Sequence, residues 1–337
     1  MKILFDHSFP FFAAHGGLQI QIEQTKHALE QLGIEVEFLR WWDERQSGDI
    51  VHYFGRPSFE YVFHIQKKGL KVVMNELMTQ AGSRSAAQLR LQKGMIRAAQ
   101  RLVPGALMER MAWRSYRQVD AVVALTELEA HLMQELFQAP PERVHVVPNG
   151  VELAFLNSRP RDRGVWLVCT AIIVKRKQVL ELAQAARVAQ TPIWCIGKPF
   201  SENDPYAKEF LALAHKHPEI IRYEGPINDR EKLAQIYREA RGFVLLSLQE
   251  SLSLSALEAA ACECPLLLSD LPWARTTFHD HAMYCPSRKS IHTTAQVLKA
   301  FYTAAPNMKP PPRPAGWLDV AKQLRSIYQD LLDKTSR

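Results

Sequence analysis

The chain runs to 337 residues, 47% of them hydrophobic and 23% charged, with a formal net charge of +7. That length is too great for one ordinary core, so two domains are expected, and the composition is that of a soluble globular protein. No apolar run is long enough to cross a membrane, and Met1-Lys2-Ile3-Leu4-Phe5-Asp6 meets an acid too early for a secretory leader, so a cytoplasmic protein is expected.

The opening residues read as a first strand over 2–5. An amphipathic helix follows over 17–32, with Leu18, Ile22, Leu29 and Leu32 on one stripe and Glu23, Lys26 and Glu30 opposite. Strand-like runs then recur at 35–39, 49–53, 71–74, 120–125 and 144–147. A second series lies at 165–171, 193–196, 220–223, 243–248, 265–268 and 282–285. Runs such as Val144-His145-Val146-Val147 and Phe243-Val244-Leu245-Leu246 are apolar at successive positions, as strands buried on both faces of a parallel sheet are. Helical patterns at 177–190, 204–216, 229–240 and 254–263 separate the later strands. The alternation predicts an α/β protein with parallel sheets.

Pro148-Asn149-Gly150 is a turn signal and residues 158–164 are polar, so the boundary is expected between 150 and 164, with domains at 1–155 and 160–305. Residues 306–316 hold five prolines and predict a stiff linker. A helix over 317–333 follows, with Leu324, Ile327, Tyr328 and Leu331 on one side. The five cysteines, Cys169, Cys195, Cys262, Cys264 and Cys285, are odd in number and mostly lie in or beside apolar runs, which predicts buried thiols rather than a disulfide framework.

Charge is unevenly spread. Residues 1–158 hold 17 Lys and Arg against 17 Asp and Glu, so the whole excess lies in the remainder. Within the neutral half, residues 84–117 carry Arg84, Arg90, Lys93, Arg97, Arg101, Arg110, Arg114 and Arg117 against the single acid Glu109. Leu89, Leu91, Ile96, Leu102, Val103, Leu107 and Met108 are interleaved, with Pro104-Gly105 interrupting. A basic amphipathic helix of this kind suits an anionic lipid or an anionic acceptor, with Arg90, Lys93, Arg97 and Arg101 as the patch. A solvated helix with a core-facing stripe is the alternative. Nucleic acid is not expected, since aromatic interleaving is sparse and no binding motif is present.

The segment with most chemical content runs from Phe243 to Asp270. A buried strand is expected to end near Ser247, and a helix to start near Leu254 behind a Ser251 or Ser253 cap. In open α/β sheets, ligands bind at the carboxyl ends of strands, where helix N-termini aim free N–H groups at anions. A diphosphate fits such a place. Glu250 and Glu258 stand in the same place and cannot hold phosphate, so they suit hydroxyl groups. A sugar nucleotide carries both kinds of group. Two glutamates eight residues apart, taken by themselves, favour solvated helix acids.

The Glu250–Glu258 segment resembles the E-x7-E signature of retaining glycosyltransferases of GT-B architecture, especially glycosyltransferase family 4. Other segments match in order. Ala14-His15-Gly16-Gly17 resembles that family's N-terminal glycine loop. Val146-Val147-Pro148-Asn149-Gly150-Val151-Glu152 resembles its V-P-N-G-V-D segment. Glu224-Gly225-Pro226 with Leu233 and Tyr237 resembles the stretch before the two glutamates, and Trp317, Ala321 and Tyr328 resemble its terminal crossing helix. The resemblance implies two Rossmann-like domains facing across a cleft that holds the donor, with 317–337 rejoining the first. It implies that Glu258 binds the donor ribose and Glu250 the transferred sugar. The backbone of Ser253 and Leu254 would lie near sugar and diphosphate, Lys177 would bind phosphate, and Gly16 and Gly17 would admit the phosphates closely.

The sequence departs from that pattern at three places. A common arginine five residues before Lys177 is Ile172, with Lys175 and Arg176 available to supply charge. The usual glycine after the first glutamate is Ser253. A histidine often found after the fourth strand is replaced near Glu76, a candidate for contact with donor sugar or acceptor. No Asp-x-Asp pair ends a strand, and His279-Asp280-His281 has no visible partner, so neither metal nor cofactor is expected. The implied activity is retaining transfer from a nucleoside diphosphate sugar to a glycan or glycolipid, in the family's usual setting of bacterial cell-surface polysaccharide assembly. A sugar-nucleotide epimerase or a non-catalytic sugar-nucleotide-binding protein are the alternatives.

Overall fold

The structure, a computed structural model, describes residues 1–8, 11, 16–102, 112–157, 162–201 and 203–334. Ala14 and His15 of the glycine loop, and Val103 to Arg110 of the basic stretch, lie outside the described residues. The chain forms two compact units, residues 1–150 with 317–337, and residues 151–316.

The first unit holds β1 (Lys2–His7), β2 (Glu35–Phe38), β3 (Ile50–Phe54), β4 (Lys71–Asn75), β5 (Ala121–Ala124) and β6 (Val144–Val146) in the order β2-β1-β3-β4-β5-β6. All these pairings are parallel. Ile3, Phe5, Ile50, Val51, Val72, Val73 and Val122 are wholly buried, because helices cover both faces of the sheet. These helices are α1 (Gly17–Gln31), α2 (Phe59–Lys67), α3 (Ala86–Leu102), α4 (Ser115–Gln118) and α5 (Glu127–Phe137). Thr126 caps α5 by accepting from the Glu129 N–H at 3.2 Å. Glu129 in turn accepts from the N–H groups of Met78 and Leu125 at 3.0 and 2.9 Å, which fixes the ends of β4 and β5.

The second unit holds β7 (Leu167–Thr170), β8 (Ile193–Ile196), β9 (Ile221–Tyr223), β10 (Gly242–Leu245), β11 (Leu266–Ser269) and β12 (Ala282–Cys285), again all parallel. Their order is β12-β11-β10-β7-β8-β9. Its helices are α6 (Leu153–Leu156), α7 (Val179–Ala189), α8 (Pro205–Lys216), α9 (Arg230–Glu239), α10 (Leu254–Ala261), α11 (Pro272–Phe278) and α12 (Ile291–Ala304). Strand order reverses between β7 and β10, and in open α/β sheets ligands bind at the carboxyl ends of the strands beside such a switch point. Gly197 follows β8 at φ +151°, and a Cβ there would lie 1.9 Å from the Ala171 carbonyl oxygen, so only glycine fits. All five cysteines are free and buried.

The last helix, α13 (Trp317–Asp333), packs against α1 in the first unit. Its Tyr328 hydroxyl meets Nδ1 of buried His52 at 2.5 Å. Burial pushes the His52 pKa down to about 3, so the ring is a neutral core group.

The units divide at Gly150 and Val151, at the near edge of the interval read from the sequence. Val151 pairs with Gly316 and its N–H donates to Ala315 O at 3.0 Å. Phe155 is wholly buried beside Tyr237, 6.0 Å between ring centres. These contacts draw both 151–157 and the proline-rich 306–316 into the second unit. Strand β10 stops at Leu245 rather than near Ser247, because the Leu248 N–H turns to the Arg176 carbonyl at 2.8 Å.

Helix α3 carries two apolar stripes rather than one. Leu89 and buried Ile96 face inward. Leu91, Met95 and Leu102, 66%, 58% and 82% exposed, face outward at helical spacing beside exposed Arg90, Arg97 and Arg101. Lys93 does not belong to that outer patch, because it is half-buried and ion-paired with Glu135 on α5. Among the described residues, no helix is long and apolar enough to cross a membrane.

Candidate active site

The β7–β10 switch gathers seven of the residues singled out by sequence. Lys175, Arg176 and Lys177 form one 3-10 turn after β7. Its last residue leads into Gln178, held at φ +54°, a conformation that costs a non-glycine residue on the order of 1 kcal/mol. The Gln178 amide offsets part of this by donating to Lys175 O at 2.8 Å.

That turn is tied to the loop after β10. Besides the Leu248 bond, the Ser247 hydroxyl donates to Arg176 O at 3.3 Å or Gln249 O at 3.1 Å, and Arg176 donates to Gln249 O at 2.7 Å. Glu250, only 8% exposed, thereby faces the cationic turn. Its Oε1 pairs with the Lys177 ammonium, and Arg176 lies 3.5 Å away. Ser253 caps α10, accepting from the Ala256 N–H at 3.4 Å. The backbone N–H groups of Leu254 and Ser255 belong to the first turn, whose donors have no intrahelical acceptor and carry the positive end of the helix dipole. Two cations thus pair with one carboxylate, just ahead of a helix N-terminus. This can neutralise a dianionic group while Glu250 receives a hydroxyl.

Glu258 lies one turn into α10 and is 6% exposed. Burial raises its pKa, opposed by the charge of Arg230, which pairs with its Oε1. Arg230, the first residue of α9, also reaches Glu152 at 2.8 Å and lies over the Phe155 ring at 4.7 Å. The Tyr237 hydroxyl sits 3.5 Å from Glu258 Oε2 and is hydrogen-bonded to Thr170 Oγ1 at the end of β7. Burial holds the Tyr237 pKa well above the ordinary tyrosine value, so it stays a neutral donor. Glu258 keeps unused acceptor capacity beside these partners, as a diol receptor requires. Sequence reading did not single out Arg230. It stands in Asp229-Arg230-Glu231-Lys232, a run of charges with the look of a solvated helix start.

The remaining candidates lie in the first unit. Gly16 caps α1 at φ +151° and ψ −159°, a conformation essentially confined to glycine, and Gly17 opens the helix. This is a helix N-terminus that lets a ligand approach the backbone. Glu76, beyond the end of β4, does not present a free carboxylate. Arg56 holds both of its oxygens in a fork at 2.7 and 2.8 Å, and Tyr116 donates to Oε2 as well. Arg56 is itself stacked over Tyr116 and Phe137. Among the described residues no cluster of three His, Cys, Asp or Glu could hold a metal ion.

Residues 20–150 match the family model described as "Glycosyl transferase 4-like domain", and residues 164–302 that described as "Glycosyl transferases group 1". A D-inositol 3-phosphate glycosyltransferase of Thermobispora bispora is 28% identical over 250 residues, 65% of this chain and 58% of that protein. The enzyme of the same name from Actinosynnema mirum is 30% identical over 173 residues, 44% of this chain and 41% of that one. The chain therefore spans less than two thirds of the length of these curated relatives. Among solved structures, sucrose-phosphate synthase from Thermosynechococcus elongatus superposes with a TM-score of 0.69 at 15% identity, covering 99% and 100% of the two chains. Anabaena HepE in complex with UDP superposes with a TM-score of 0.66 at 14% identity, covering all of both. At such identities the likeness concerns fold. With one family model on each unit and a fold shared end to end with these neighbours, the chain belongs to the GT-B glycosyltransferases of the group 1 family.

Proposed function

We propose that this protein transfers a sugar from a nucleoside diphosphate sugar to a glycan or glycolipid acceptor, retaining anomeric configuration and needing no metal. The observation that carries the reading is the β7–β10 switch, where Arg176 and Lys177 of the Lys175–Lys177 turn meet Glu250 just ahead of the α10 N-terminus, with Glu258 one turn into that helix. In this reading the diphosphate takes the cations, the transferred sugar meets Glu250, and the ribose diol meets Glu258. Gly16 and Gly17 supply backbone donors to the phosphates. The donor's anomeric C–O bond breaks toward the diphosphate and the acceptor oxygen bonds the same face. The acceptor's proton passes to the departing diphosphate. The protein's part is to position both substrates and stabilise the charge on the leaving group. The ligands named for HepE, UDP and UDP-glucose, support a nucleotide-sugar donor. A thermal-shift screen of UDP, GDP, ADP and their sugars should raise the melting temperature for one base. Transfer to acceptor should persist in EDTA and give a product of unchanged anomeric configuration. No shift with any nucleotide would overturn the reading. Interconversion of the donor sugar without acceptor would favour an epimerase.

We further propose that the acceptor is met at an anionic membrane surface through the outer face of α3, in the setting of bacterial cell-surface polysaccharide assembly. Charge complementarity supports this, since the outer face presents Arg90, Arg97 and Arg101 and Ala86–Leu102 contains no acid. Each basic side chain near such a surface contributes about 1 kcal/mol. Replacing Arg90, Arg97 and Arg101 with glutamine should therefore weaken binding to phosphatidylglycerol-containing vesicles on the order of a hundredfold. Pure phosphatidylcholine vesicles are the control. Equal sedimentation of both forms with the anionic vesicles would remove the proposal.

A further inference from the structure

Two tryptophans stand in water beside the carboxyl end of β2. Trp41 and Trp42 are 78% and 81% exposed, the latter among the most exposed of the large apolar side chains. Adjacent exposed indoles are costly for a soluble surface, and contiguous apolar area of this kind marks a binding face. Neither has a part in donor binding as proposed.

Their loop is not slack. The Leu39 N–H donates to Phe5 O at 2.8 Å, and the Asp49 N–H to Lys2 O at 2.8 Å. Between those ends, Arg40 binds Glu37 at 2.7 Å and Asp43 at 3.1 Å. Gln46 donates to Glu37 at 2.8 Å and accepts from the Arg40 N–H at 2.7 Å. The Trp41 indole N–H is turned toward Asp6, a 6% exposed carboxylate at the end of β1. Asp6 is held by the Tyr61 hydroxyl at 2.5 Å and the His7 N–H at 2.8 Å. The rings are therefore presented by an ordered scaffold, which lowers the entropy lost when a ligand settles on them.

The surroundings select the ligand. Residues 35–49 contain Glu35, Glu37, Asp43, Glu44 and Asp49 against Arg40 and Arg45, with Lys2 paired to Glu35 and Glu37, so this face keeps a slight acidic excess and lacks the cluster of unpaired cations that would draw it to anionic lipid, in contrast to α3. An aromatic face carries negative charge density that attracts weakly positive C–H bonds, while carboxylates at the rim accept from hydroxyls. A pyranose ring supplies both, with C–H bonds on its face and hydroxyls around its edge. We infer that Trp41 and Trp42 form a stacking platform for a neutral saccharide ring of the acceptor. This rests on the transferase reading only for calling the saccharide an acceptor.

The test compares the wild-type chain with Trp41→Ala, Trp42→Ala and Trp42→Phe on a printed array of neutral and acidic oligosaccharides. Tryptophan-fluorescence titration with the bound glycans then gives affinities. Wild type should bind neutral saccharides, each alanine variant should lose about tenfold or more in affinity, and Trp42→Phe should recover most of it. Calorimetry with UDP and GDP on the same preparations reports folding and the donor site separately. Glycan binding through the tryptophans without any nucleotide binding would keep the platform and reject the transferase reading. Nucleotide binding without any glycan bound would overturn the platform. Glycan affinities equal in all forms would overturn it too. So would alanine variants that lose only vesicle binding, which would make the pair a membrane contact.

Discussion

Glu258→Ala is expected to weaken nucleoside diphosphate binding by roughly ten- to a hundredfold, as hydrogen bonds to a charged group contribute about 1.5–3 kcal/mol. The carboxylate sits 6% exposed within α10, so its loss removes the acceptor for the ribose diol and leaves little water to replace it. The change also strips Arg230 of one of two carboxylates. Glu152 stays within 2.8 Å, so the guanidinium keeps a counter-ion and the fold should survive. Glu258→Gln separates the two effects. It preserves volume and one acceptor oxygen but removes the charge, and should recover part of the affinity. Calorimetric dissociation constants for the preferred nucleotide, with a denaturation midpoint for each variant, decide it. A Glu258→Ala protein that is folded and binds nucleotide as tightly as wild type would remove Glu258 from the donor site.

Much of this site was legible in the sequence because it depends on local order. Most of the described strands were marked by a run such as Phe243-Val244-Leu245-Leu246, apolar at successive positions, as burial on both faces demands. The serine before Leu254 and the position of Glu250 ahead of that helix were likewise visible, since a cap and a strand end are neighbours in the chain. What escaped was decided by pairs far apart. Arg230 reaches Glu258 across 28 residues, and Lys177 reaches Glu250 across 73. Neither pairing leaves any trace in spacing. Glu76 shows the converse. Its place after β4 invited a role at the sugar, but Arg56, 20 residues earlier, occupies both carboxylate oxygens. Lys93 looked like its neighbouring arginines until the packing of α3 on α5 turned it toward Glu135. The turn signal at Gly150 marked the boundary, but the allegiance of 151–157 and of the proline-rich 306–316 to the second unit was hidden, because the pairing of Val151 with Gly316 involves chain positions 165 residues apart.

Glu250→Ala should act on turnover rather than on donor affinity. The Glu250 carboxylate is a counter-ion for Lys177, with Arg176 at 3.5 Å. A diphosphate bound at the same cations competes for them, so removing Glu250 frees Lys177 and offsets the missing hydrogen bond to the bound sugar. The ground-state affinity should therefore change little. The transition state differs, because the sugar ring must be held while its bond to the diphosphate breaks, and Glu250 is the carboxylate proposed to hold it. A fall in kcat of about a hundredfold with KM within a few-fold is expected, the pattern of an interaction made in the transition state. Lys177→Ala should show the opposite bias, with KM for the donor raised and the Glu250 carboxylate left facing the phosphates. In the double variant that repulsion disappears. Its loss in donor affinity should be smaller than that of Lys177→Ala alone, by a coupling of about 0.5–3 kcal/mol for contacting residues. Additive effects of the two changes on donor affinity would show that the Lys177–Glu250 pair plays no part in donor binding.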